Sequence, residues 1–152
     1  PRFYPNAIDG HYVDIVPFYN FIVSPNPILT IDDLLKNFDF TANAIGVNIK
    51  TGTIYDPVHG ITDINNRVLR AVRLDFPEKP VSNDIPLSAV SVFWFRLLHF
   101  QNKLGFEFEK QTKEWVIENA YRIKDIEMFK KYFFTPNISK ELNLYINKCL
   151  HR

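Results

Sequence analysis

Carboxylates are the side chains in this sequence best placed to do chemistry. Asp14 lies within the largely apolar run Tyr12-Val13-Asp14-Ile15, while Asp39 and Asp63 stand among aromatic and apolar neighbours further along. A strand-borne Asp faces either solvent or a cation, and Asp14 is open to both readings. Asp39 and Asp63 have a plainer alternative as helix caps or turn residues. Other chemistries find less support. Cys149 is the single cysteine, and the four histidines, His11, His59, His99 and His151, show no HxxxH spacing. A disulfide within this sequence is excluded, no residues are assigned to a metal, and a reducing intracellular compartment is expected, such as the cytoplasm or an organelle matrix. Phosphate loops of the GxxxxGK or GxGxxG type, a GxSxG elbow and an HExxH helix are all absent.

Composition narrows the classes further. The 152 residues are 46% hydrophobic and 15% aromatic, with 18 basic against 17 acidic side chains. So apolar a chain is expected to fold, into one or two small units. A net charge of +1 carries no broad field for nucleic acid, so DNA is not expected as a partner and any RNA contact must come from a local patch. The densest apolar run, Val90 to Phe100, is cut by Arg96 and His99 and is shorter than the about 20 residues that span a bilayer. Pro1 in place of Met suggests trimming, processing or further sequence upstream, and residues 1 to 20 do not read as a signal peptide.

These carboxylates must be positioned by the elements around them. His11 to Phe18 reads as a strand, which Asn20 to Val23 continues. Thr30, three residues before Asp33, reads as a capping box opening a short helix. Phe40 to Ile49 fits helix or strand, and Lys50-Thr51-Gly52-Thr53 reads as a hairpin turn between strands near Gly46 to Ile49 and Thr53 to Tyr55. Leu69 to Arg73 is a further strand candidate. The prolines of Pro77-Glu78-Lys79-Pro80 mark a boundary, because they deny both helix and ladder hydrogen bonds. Beyond it the pattern predicts helices throughout: Ser88 to Leu104 ended by Gly105, Thr112 to Ile123, Lys124 to Phe133, and Ser139 to Leu150.

Two patterns bear on function directly. Apolar residues surround nearly the whole of the helix Ser88 to Phe100, so it must be buried on all sides. Either the chain's own core fills its surroundings, or a protein partner or missing chain segment covers helix 88–100. Arg67, Arg70 and Arg73 recur every third residue, and further lysines gather toward the C-terminus. They form either an ordinary solvated face or a track for an RNA backbone.

Three blocks in order carry a resemblance. They are Asp39-Phe40-Thr41-Ala42-Asn43-Ala44, then Gly52-Thr53-Ile54-Tyr55-Asp56-Pro57-Val58-His59-Gly60-Ile61-Thr62-Asp63-Ile64, then Arg67-Val68-Leu69-Arg70-Ala71-Val72, followed by Leu104-Gly105-Phe106. Over roughly residues 11 to 120 the chain resembles the class II tRNA CCA-adding enzymes and bacterial poly(A) polymerases, whose pattern reads RRDFTINA, GxIxDPxxGxxDL and RxLRxV. The resemblance implies an α+β fold: the latter part of a nucleotidyltransferase palm over residues 1–76, joined to a helical neck over 77–152. It also implies Mg²⁺ with ATP or CTP as cofactor and substrate if the protein is active, and tRNA or another structured RNA as partner. Asp14 then falls where the family keeps an acid beside its metal-binding strand. Asp39, Thr41 and Asn43 fall in the block that helps bind the nucleotide's sugar and phosphates.

The departures from the family pattern are as informative. No DxD occurs in the chain, and Asn37 and Phe38 stand where the family has two arginines. Phosphate contacts at that point are therefore expected to be weak. The family's base-reading EDxxR falls on Ala89-Val90-Ser91-Val92-Phe93, which cannot hydrogen-bond a base edge through charged groups. Three readings follow: a degenerate relative serving as an RNA-binding or structural subunit, an RNA nucleotidyltransferase whose DxD lies upstream or on another chain, and a protein-protein interaction module.

Overall fold

Local signals account for most of the element boundaries. The computed structural model describes the backbone of residues 2–3 and 13–14, and residues 28–150. Strands β1 (Arg2–Phe3) and β2 (Val13–Asp14) pair antiparallel, with Arg2 opposite Asp14. The rest of the expected strand His11 to Phe18, and Asn20 to Val23, lie outside the described residues. Helix α1 (Ile31–Leu35) opens with the expected capping box: Thr30 Oγ1 accepts from Asp33 N at 3.1 Å, and Asp33 Oδ2 accepts from Thr30 N at 2.9 Å. The ambiguous stretch after Phe40 divides into a 3₁₀ turn, Thr41–Asn43, and strand β3 (Gly46–Val47).

Strand β3 forms a hairpin with β4 (Ile54–Tyr55), and Gly52 at its turn has φ 73°, a conformation that an L side chain resists. Asn48 Oδ1 accepts from Lys50 N and Thr51 N at 3.0 and 3.3 Å, closing the turn around the chain's own backbone. Helix α2 (Gly60–Asn65) follows, and then β5 (Val68–Leu69). An antiparallel bridge, Phe40 to Ala71, ties the 3₁₀ turn to the strand that continues from β5.

Helix α3 (Ala89–Leu104) begins at Ser88, whose side chain accepts from Ser91 N, and ends at Gly105 with φ 63°. The proline-bracketed segment also serves this helix. Lys79 O accepts from Ala89 N at 3.0 Å and Pro77 O from Val90 N at 3.3 Å, so amides that a helix start leaves unpaired are satisfied. One sequence expectation needs correcting here. The region beyond Pro80 is not helical throughout, because Glu107–Phe108 forms β6, parallel to β5 with Val68 opposite Glu107. Glu107 N donates to Arg67 O at 2.9 Å and Glu109 N to Leu69 O at 3.0 Å, pairings that no local periodicity in either segment encodes.

Helices α4 (Lys110–Glu118), α5 (Ile126–Tyr132) and α6 (Lys140–Leu150) complete the chain. The expected helix Thr112 to Ile123 ends early, at Glu118, and a 3₁₀ segment, Ala120–Asp125, replaces its last part. Arg122 explains the change. Its guanidinium is buried, bonded to Asn119 Oδ1 at 3.0 Å and Ser91 Oγ at 3.1 Å, and paired with Glu78. A charge taken out of water must find such partners, and the backbone follows them.

The core gathers around α3. Phe93, Trp94, Phe95, Leu97 and Leu98 are each at most 2% exposed, packed with Leu69, Val116, Phe129 and Ile146. Phe93 stacks on Phe76 at 4.3 Å and tilts against Trp115 at 5.3 Å, while Phe95 stacks on Phe129 at 4.7 Å. Trp94 Nε1 donates to Val116 O at 2.9 Å, satisfying its one polar atom. The expectation that a partner or missing segment covers helix 88–100 is thereby corrected for these residues: Phe76, α4 and α5 of this chain supply the cover. No helix among the described residues is long and apolar enough to cross a membrane.

Candidate functional site

The candidate site lies where the 3₁₀ turn after Phe40 meets α2, β5 and α3. Its scaffold is polar. Asp56 holds the start of α2, its Oδ1 and Oδ2 accepting from Gly60 N at 2.5 Å and Ile61 N at 3.1 Å. Gly60 itself has no room for a side chain, since a Cβ there would lie 2.1 Å from Thr41 O. This close approach brings α2 onto the turn and sets Asp63 beside Thr41.

Asp63 is 4% exposed and takes neither of its expected roles as cap or turn residue. Its Oδ2 accepts from Thr41 Oγ1 at 2.7 Å and from Arg70 Nε at 2.9 Å, and its Oδ1 accepts from Arg70 Nη2 at 3.2 Å. Burial pushes the Asp63 carboxyl up, but the Arg70 and Thr41 hydrogen bonds outweigh it and hold the group below the usual carboxylate range. The same pairing raises Arg70. Thr41, expected to face a nucleotide, is 1% exposed and spends its hydroxyl on this clamp.

A second cluster sits beside the first. Asp39 Oδ1 accepts from Asn43 Nδ2 at 2.7 Å, and Asp39 Oδ2 accepts from Arg96 Nε at 2.5 Å. Asp39 therefore also departs from the cap or turn role, joining the turn to α3 across 57 residues. Asn43 Oδ1 is buried and has no hydrogen-bond partner. The Arg96 guanidinium lies 5.3 Å from the Phe100 ring centroid and 6.0 Å from that of Phe40. Sequence reasoning treated Arg96 only as an interruption of an apolar run. The missed signal was that a lone cation in so apolar a helix must find a partner where the helix is buried.

The remaining expected residues are more scattered. Asp14 is paired through its backbone with Arg2, and its side chain lies outside the described residues. Arg70 is committed to Asp63, and Arg73 to Asp75 Oδ1 at 2.6 Å and Asn37 Oδ1 at 3.2 Å. Arg67 is exposed, with φ 55°, and none of the described acidic side chains lies within ion-pair distance of it. The three arginines thus do not present equivalent cations along one face.

Mg²⁺, which the family implies, does not fit the described carboxylates. Asp39, Asp56 and Asp63 each have both oxygens engaged by N–H or O–H donors. Among the described residues, no three His, Cys, Asp or Glu side chains converge on a cation site. No metal-dependent step is therefore assigned to them.

The fold is that of a nucleotidyltransferase palm, with an α+β architecture. Residues 13–70 match the poly A polymerase head domain. A CCA-adding enzyme of Actinobacillus succinogenes is 37% identical over 97 residues, or 64% of this chain and 22% of that protein. A multifunctional CCA protein of Stenotrophomonas maltophilia is 42% identical over 64 residues, 42% of this chain and 16% of its own length. Parts of the chain are thus similar to the CCA-adding enzymes and poly(A) polymerases, and it spans about a fifth of the length of these relatives. A solved tRNA nucleotidyltransferase, complexed with a primer tRNA and an incoming ATP analog, has the same fold at TM-score 0.50 and 22% identity, covering 84% of this chain and 36% of that one.

Proposed function

We propose that this segment is a degenerate palm and neck, the palm running to residue 76 and the helical neck from 77, which serves as an RNA-binding or structural unit and does not itself select a base. The observation that carries this reading is the burial of Val90 and Phe93, 4% and 2% exposed, where the family keeps charges for reading a base. Phe93 packs against Phe76 and Trp115, and Ser91, the polar residue between, is spent on Asp125 and Arg122. Exposed Arg67 is the first candidate for an RNA phosphate, since no described acid competes for it.

A second reading is favoured by the 37% identity to a CCA-adding enzyme. In it, the DxD that binds Mg²⁺ lies on upstream sequence or on another chain, and this segment contributes to ATP or CTP addition at RNA 3′ ends. The test is to incubate the complete gene product with tRNA or oligo(A), Mg²⁺ and labelled ATP or CTP. No extension is expected; metal-dependent extension at the 3′ end overturns the degenerate reading. Arg67→Glu should weaken RNA binding and flatten its salt dependence, and unchanged binding removes Arg67 from the RNA contact.

A further inference from the structure

The hairpin of β3 and β4 turns its aliphatic residues outward. Val47 and Ile54 lie opposite each other across the two strands and are 59% and 58% exposed, and Ile49 in the turn is 94% exposed. Gly46, Asn48 and Tyr55 alternate with them and are partly buried. The inner side rests on α1, since a Cβ on Gly46 would lie 3.4 Å from Leu35 Cδ1 and 3.6 Å from Ile31 Cγ1. An antiparallel pair with one face packed ordinarily carries polar residues on the other. Here a β-branched cross-strand pair occupies that face, and adjoining exposed aliphatics mark an interaction surface where scattered ones do not.

The two ends of this hairpin carry opposite charge. Lys50 stands at the tip, and at the base α1 carries Asp32 and Asp33, with Lys36 after its last turn. Asp33 is spent on the Thr30 cap, whereas Asp32 and Lys50 are exposed and have no ion-pair partner among the described residues. A polyanion that met Lys50 would be repelled at the base, and a basic partner would be repelled at the tip. A second hairpin of the same kind matches both ends. Stacked face to face about a twofold axis, with strands running in opposite directions, each tip lies over the other copy's base. We propose that the outward face of the β3 and β4 hairpin binds the same face of a second copy of this chain, Val47, Ile49 and Ile54 packing at the centre and Lys50 of each copy meeting Asp32 of the other. Three aliphatic side chains make a centre far smaller than the about 800 Å² per partner of a standard interface, so the dimer is weak and reversible.

The test is sedimentation velocity on the complete gene product over a wide range of concentration, with each variant first checked by its melting curve. Wild type should dimerise reversibly. Ile49→Lys and Ile54→Lys should each raise the dimer Kd by about tenfold to a hundredfold. Lys50→Glu and Asp32→Lys should each raise it by about threefold to tenfold, because the twofold axis uses every pair twice, and the two substitutions together should restore it. A dimer indifferent to Ile49→Lys and Ile54→Lys overturns the proposal by placing the contact elsewhere. Charge reversals that fail to rescue each other overturn the pairing of tip with base. A wild type that stays monomeric overturns the dimer, and alkylation of Ile49→Cys in a Cys149→Ser background then identifies the alternative. Protection shows that the complete chain covers the face itself, and free reaction shows that the face is open to a different partner.

Discussion

The polar block from Asp39 to Arg70 and the aromatic surroundings of α3 are held together in opposite ways. In the block, both oxygens of Asp39, Asp56 and Asp63 accept hydrogen bonds from this chain. Around α3 rings pack on rings, Phe93 on Phe76 and Trp115, and Phe95 on Phe129. The contrast separates two ways of joining distant elements, directional hydrogen bonds and apolar burial. Hydrogen bonds in the block join Thr41 to Asp63, Asp63 to Arg70 and Asp39 to Arg96, so these residues hold elements together whether or not a ligand is present. The rings around α3 join elements mainly through burial.

The sharpest way to break this comparison is to empty the aromatic side. Trp94→Ala should cost about 3–5 kcal/mol, measured by urea denaturation, because Trp94 is fully buried among groups that cannot collapse into the space. A loss below about 1 kcal/mol would mean that α3 is not the centre of the core.

The polar side should yield smaller effects. Arg70→Ala leaves the buried Asp63 carboxylate with Thr41 as its remaining side-chain partner, and about 1–3 kcal/mol of stability should be lost in the same assay. The pH dependence follows from the direction of the Asp63 shift. Because its folded pKa is lowered, its contribution is present above the unfolded value near about 3.9 and disappears as pH falls through the folded value. Asp63→Asn should therefore be less stable than wild type at neutral pH, with the gap closing in acid. A gap that stays constant with pH would show that the ion pair contributes nothing.

The smallest effect lies at the join between the two. His99 Nδ1 accepts from Asn137 N at 3.0 Å, and burial, then Lys103 and Arg96, hold the imidazole below its ordinary pKa. Only the neutral ring can accept that bond. Its contribution is thus complete above about pH 6.5 and falls as pH drops through the lowered folded value. His99→Gln should flatten the change in melting temperature between neutral and mildly acidic pH, an effect within about 1 kcal/mol. An unchanged slope would assign the pH response to other groups.

What was legible in advance was local. Thr30 with Asp33, Ser88 before α3, Gly52 in its turn and Gly105 after the helix each work through bonds within a few residues, so their signatures are short and recognisable. The all-round apolarity of α3 was also readable, and it placed the core correctly. Arg122 with Glu78 and Arg96 with Asp39 were not, because their partners lie 44 and 57 residues away. Asp63 looked like a cap because a carboxylate in a first helical turn so often is one. Only the approach of Thr41 and Arg70 made it a clamp.

By itself, the sequence determined that the chain folds as α+β, where α1 and α3 are capped, and which three blocks resemble those of CCA-adding enzymes and poly(A) polymerases. Those properties depend on neighbouring residues or on ordered motifs, both of which are written along the chain. The tertiary structure alone decided that Arg96 stands against Asp39, that β5 and β6 pair across the proline segment, and that Asp39 and Asp63 turn inward. These are contacts between distant segments, set by how buried surfaces and buried charges find partners at once, and a linear pattern does not specify them.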